Sequence, residues 1–138
     1  MTVLRHVSRL VALLSIAAGA LACRDIVYRE PTLPAGAEPF EPPGVYEDWW
    51  HETEACSGRQ GDFRRVRWYM VPNADYFAVD GRLYGGMWYS HFHYVVLASA
   101  FVSSAPVVRH EMLHDLLNRS DHPAEYFRER CAGLVTPG

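Results

Sequence analysis

The chain has 138 residues, a net charge of −3 and 13% aromatic residues, including four Trp and eight Tyr. That length holds one small domain, and the absence of a basic excess argues against nucleic acid as a partner. The aromatic content suits a compact core or a substrate groove.

The first segment reads as an export signal. Arg5, His6 and Arg9 form a positive start, and Leu10 to Ala22 is a run of apolar and small residues. Thirteen such residues are too few for a membrane-spanning helix and suit the apolar region of a signal peptide spanning residues 1–22. The run ends at Ala20-Leu21-Ala22-Cys23. This resembles a bacterial lipobox, with Cys23 lipidated as the mature N-terminus, although Ala20 stands where the usual pattern has Leu. Ordinary signal-peptidase cleavage at the same bond is the rival reading. Lipidation of Cys23 leaves Cys56 and Cys131 as an even pair, and these are expected to form a disulfide. Residues 23–43 are then the lipidated cysteine and a tether rich in proline (Pro31, Pro34, Pro39, Pro42 and Pro43), expected to be extended and partly disordered. Arg24 follows the cysteine where an inner-membrane retention signal would have Asp, so the expected location is the periplasmic face of the outer membrane.

The globular domain is expected over residues 44–138. Val45 to Cys56 reads as an amphipathic helix, with His51 on its solvated side, and Gly58 and Gly61 follow it. Strands are expected over Arg65–Val71, Arg82–Trp88 and His91–Ala98, with Tyr76–Val79 as a shorter one. Asp80-Gly81 suits a tight hairpin. Tyr94-Val95-Val96-Leu97-Ala98 has the composition of a buried strand.

A helix opened by Ser104 and Pro106 carries His110-Glu111-Met112-Leu113-His114, an HExxH pattern. Residues four apart on a helix lie about 40° apart around the axis, so both imidazoles face one metal ion. Glu111 sits beside them, where its carboxylate reaches an activated water. Two nitrogen ligands and an adjacent general base are what a zinc hydrolase requires. Val107, Val108, Met112, Leu113, Leu116 and Leu117 surround the motif and mark a buried helix, whose polar groups need partners.

Two histidines bind zinc weakly, and the third ligand is expected in the following turn. His122 is favoured because Pro123 fixes the start of a second short helix, His122 to Cys131; Asp121 is the alternative. Asp115 either orients a ligand histidine or is an ordinary exposed carboxylate. Tyr126, His91 and His93 are candidates for stabilising charge on a substrate carbonyl, each with a structural role as its alternative.

A strand, a buried HExxH helix, a turn and a downstream histidine resemble the core of the zincin metallopeptidases. The minimal SprT and WLM type is the better likeness, carried by residues 92 to 131 with His122, Tyr126 and Phe127. Metzincins fit poorly, since Ser120 stands where their third histidine falls and Leu117 where they have glycine. The resemblance implies an α+β fold: a small mixed or antiparallel sheet packed against the HExxH helix, flanked by short N- and C-terminal helices. It also implies a peptide or protein substrate bound as an added strand at the sheet edge. The expected function is a Zn2+-dependent envelope peptidase, with His110, His114 and His122 holding the metal, Glu111 as base and a lipid anchor in the membrane. A non-catalytic zinc-binding lipoprotein or a structural envelope module is the alternative.

Overall fold

The computed structural model describes residues 27–138. The segment read as a signal peptide, residues 1–22, and Cys23 lie outside the described residues. Among the described residues no helix is long and apolar enough to cross a membrane.

The domain is α+β. Its main sheet has four strands: β1 (Glu38–Pro39), β2 (Arg67–Val71), β6 (Tyr94–Ala98) and β5 (Gly86–Tyr89), in that order. β2 and β6 run parallel, and the outer pairs β1/β2 and β5/β6 are antiparallel, so the sheet is mixed. β3 (Phe77–Val79) and β4 (Arg82–Tyr84) form a separate hairpin. Two helices, α1 (Val45–Ser57) and α2 (Ala105–Leu117), pack on one another and on the sheet.

β6 explains the core. Its residues Val95 to Ala98 are wholly buried, because both faces of the strand are covered. Val95 and Leu97 join Tyr46, Trp50, Val108, Met112 and Leu116 beneath the helices. Val96 and Ala98, pointing the other way, join Val71 and Phe77.

Several expected elements are redrawn. Arg82–Trp88 is two strands, because the chain leaves the β3–β4 hairpin at Gly85 and enters the main sheet at Gly86. The third strand begins at Tyr94, since His91 and His93 adopt positive φ (68° and 55°) in the turn that reverses β5 into β6. Asp80-Gly81, with φ of 48° and 76°, makes the expected two-residue hairpin turn. The last helix is a π-helix over Glu125–Arg130. Within the stretch read as a tether, Glu38–Pro39 pairs with β2, Leu33 packs under the sheet and Glu30 accepts a hydrogen bond from Tyr94. The folded unit therefore starts ahead of Gly44.

Cys56 at the end of α1 and Cys131 after the π-helix form a disulfide, with Cα atoms 5.2 Å apart. It closes a loop with a sequence separation of 75 and pins the C-terminal segment against the helices.

Candidate metal centre

α2 begins at Ala105, with Ser104 at its N-cap and Pro106 in its first turn, and stops at Asn118 in a left-handed conformation. Pro at this position costs no helix hydrogen bond, and Asn tolerates positive φ, so both ends are set locally. Seven residues of α2 are buried, including Glu111, His114 and Asp115.

His110 and His114 project from α2 towards His122, which stands just ahead of the π-helix. Their Nε2 atoms form a triangle with sides of 3.1 Å (His110–His114), 3.2 Å (His114–His122) and 3.0 Å (His110–His122). These three ligand atoms lie close enough to hold one metal ion. The tautomers strengthen the point. His110 Nδ1 lies 2.8 Å from the Thr136 carbonyl and His114 Nδ1 lies 2.6 Å from the Arg119 carbonyl. A carbonyl only accepts, so each Nδ1 carries the proton and each Nε2 presents a lone pair. Lone pairs facing one another at 3.1 Å repel unless a cation lies against them.

Loss of solvent disfavours the protonated form of these rings. The His114 pKa is pushed down to about 4, first by loss of solvent and then by the neighbouring His110. His110 and His122 are also lowered, in both cases mainly by desolvation. Phe127, buried at the centre of the π-helix, places its ring 4.9, 5.0 and 4.8 Å from the rings of His110, His114 and His122. It is the shared apolar floor of the triad.

Asp121 is turned outward. Its two oxygens take Arg119 Nε at 2.8 Å and Nη2 at 2.6 Å, and His122 is the residue that joins the triad.

Glu111 occupies the wall between α2 and β5. It accepts a hydrogen bond from the Trp88 backbone N–H, and desolvation raises its pKa to about 8. Gly86 makes room for it: a Cβ there would lie 2.8 Å from Glu111 Oε1. Gly85 has a parallel role, since a Cβ would meet the Phe101 ring at 2.7 Å. A glycine pair within an apolar run is the sequence signal for such close approach.

Asp115 touches none of the three histidines through its carboxylate. Wholly buried, it accepts from Trp88 Nε1 at 2.9 Å and Arg65 Nη2 at 3.2 Å, and lies 2.7 Å from His93 Nδ1. Trp88 in turn lies parallel to the His114 ring, with 6.1 Å between centroids and 9° between planes. The Asp115 side chain therefore acts on the centre through Trp88. The other sequence candidates are engaged elsewhere. His91 stacks on Tyr28, and the Tyr126 hydroxyl accepts from Arg59 Nη2 at 2.7 Å. Neither they nor His93 line the cleft beside the triad, which is walled by Arg82, Tyr84, Gly86, Met87, Trp88 and Ser120.

β5 is the sheet's outer strand on this side. The Ala98 N–H donates to the Gly85 carbonyl, so by antiparallel alternation Gly86 and Trp88 direct their backbone polar groups away from β6. The cleft thus joins three convergent imidazoles, a buried carboxylate and an open strand edge. No protein-family model matches the chain, and no curated protein or solved structure matches it either.

Proposed function

We propose that this protein is a zinc-dependent peptidase with a zincin-like arrangement of the minimal SprT and WLM type. The observation that carries the reading is the His110–His114–His122 triangle with Glu111 beside it, opening on the free edge of β5. Nitrogens about 2.0–2.1 Å from a tetrahedral zinc lie roughly 3.3 Å apart. The separations here of 3.0, 3.1 and 3.2 Å fit that donor set. Three imidazoles with an open side are the ligand pattern of catalytic zinc.

His110, His114 and His122 would hold the zinc, which when bound would supply a Lewis acid to activate a water and polarise a peptide carbonyl. The protein's own groups do the rest. The Gly86 backbone and the Trp88 carbonyl face outward and can align an extended peptide as an added strand, while the Trp88 N–H is held by Glu111. Glu111 takes the proton of the attacking water and returns it to the leaving amine. Burial raises the Glu111 pKa to about 8, which favours returning the proton, and the positive charge of a bound zinc would favour the ionised form that accepts it. Phe127 and Trp88 exclude water from the far sides of the histidines, and the Thr136 and Arg119 carbonyls hold the imidazoles in the ligating tautomer.

We place the domain outside the cytoplasm, anchored through a lipid on Cys23 to the periplasmic face of the outer membrane. The apolar run ending at Cys23 and a disulfide suited to an oxidising compartment support this. Mass spectrometry of the mature N-terminus tests it; an unmodified Cys23 would refute the anchor.

The function is tested by metal content and hydrolysis of a quenched peptide library, with and without chelator. One zinc per chain and chelator-sensitive cleavage are expected. Glu111→Gln should keep the zinc and lose turnover. Equal turnover by that variant would overturn the peptidase reading.

A further inference from the structure

The cleft has two unlike halves, and the β3–β4 hairpin makes both. Residues alternate across a strand, so Arg82 and Tyr84 share one face of β4 while Leu83 points to the other. On the first side Arg82 and Tyr84 stand over the triad with Trp88 and Ser120. Arg82 is exposed and, like Arg29, Arg59, Arg67 and Arg128, forms no ion pair among the described residues; of these arginines it is the one that lines the cleft. On the second side Leu83 gathers with Tyr76, Phe101 and Val107, bordering the same His110, Glu111 and His122. Leu83 is 70% exposed and Tyr76 55% exposed, among the most exposed large apolar side chains of the described residues. The Tyr76 and Phe101 rings lie 5.4 Å apart, forming an aromatic wall.

Resting on the peptidase reading, we propose that the cleft selects a peptide bearing a carboxylate on the Arg82 side of the three histidines and a large apolar side chain on the Leu83 side. A free guanidinium beside a polar opening recognises a carboxylate by charge and paired hydrogen bonds. An exposed aliphatic and aromatic wall gains from being covered by an apolar residue. The carboxylate comes either from an Asp or Glu side chain or from the peptide's own C-terminus, and either source meets Arg82 with the same chemistry. Arg82 is then a specificity residue, and Glu111 remains the proton carrier.

The test uses full-length, zinc-loaded Glu111→Gln protein, which separates binding from turnover, and fluorescein-labelled peptides. The set comprises one acidic and apolar peptide, its lysine counterpart, its serine-for-apolar counterpart, and a neutral peptide with a free or an amidated C-terminus. The acidic peptide should bind at least about fivefold tighter than the lysine peptide. Arg82→Glu should invert that order, and Leu83→Ser should abolish only the apolar preference. A side-chain source appears as discrimination among amidated peptides. A C-terminal source appears as discrimination between the free and amidated neutral pair. Equal binding of acidic and lysine peptides, or an order untouched by Arg82→Glu, would overturn the proposal. Hydrolysis by the parent protein is scored separately. Cleavage without charge preference overturns this proposal alone, and ordered binding without any cleavage overturns the peptidase reading while supporting the recognition.

Discussion

Gly86 and Glu111 meet so closely that a methyl group on Gly86 would lie 2.8 Å from Glu111 Oε1. The strand thus yields its side chain to seat the carboxylate. Gly86→Ala should displace Glu111 and lower peptide hydrolysis by about 100-fold, the usual cost of moving a reacting group by about an ångström. Zinc stoichiometry should stay at one, because the three atoms nearest the new methyl all belong to Glu111. Parallel metal analysis and steady-state kinetics check both halves.

Phe127 supports all three imidazoles at once. Phe127→Ala should destabilise the domain by about 3–5 kcal/mol and weaken zinc binding as the rings lose their floor. Urea denaturation of the metal-free protein gives the first quantity, and competition with a chromophoric chelator gives the second. Unchanged zinc affinity would limit Phe127 to packing.

Stability of the metal-free protein should depend on pH with two opposing slopes. The His114 pKa is lowered to about 4 from 6.5, so the unfolded chain binds its proton first as pH falls. That costs up to about 3 kcal/mol between pH 6.5 and 4. The Glu111 pKa is raised to about 8 from 4.5, so its contribution is full below 4.5 and is lost as pH rises through 8. Glu111→Gln should therefore be more stable than the parent in chelator at pH 8, by up to about 4 kcal/mol, with the difference vanishing below pH 4.5. Denaturation series at pH 4, 6 and 8 decide the signs.

Asp115 carries a buried charge held by Arg65, Trp88 and His93. Asp115→Ala should cost about 1–3 kcal/mol, since it strands the buried Trp88 indole N–H while the exposed Arg65 guanidinium turns to water. Trp88 fluorescence should shift with the loss of its partner. Zinc affinity should fall less than in His122→Ala, because the Asp115 carboxylate acts through a neighbour.

Reduction or removal of the Cys56–Cys131 bond should lower stability by up to about 4–5 kcal/mol for a loop of this length. Comparing the Cys56→Ala/Cys131→Ala double variant with the parent in urea measures it.

The local pattern already specified α2 and its start at Ser104 and Pro106, the buried β6 strand, the Asp80-Gly81 turn and the pair His110 and His114. These depend on helix and strand periods and on turn chemistry, all short-range. Pro123 likewise marked where His122 would stand. Tertiary structure alone decided the partners. Gly85 and Gly86 lie inside the stretch read as one strand, yet Gly86 seats Glu111 and Gly85 seats Phe101. Asp115 was adjacent to a ligand in sequence, but a helix turns about 100° per residue, which aims its carboxylate at Trp88 and His93. His91 and His93 alternated like strand residues until chain reversal between β5 and β6 put them in a turn. Phe127 and Arg82 acquire their places only when the π-helix and the β3–β4 hairpin close on α2, because contacts between segments distant along the chain leave no periodic trace in either segment.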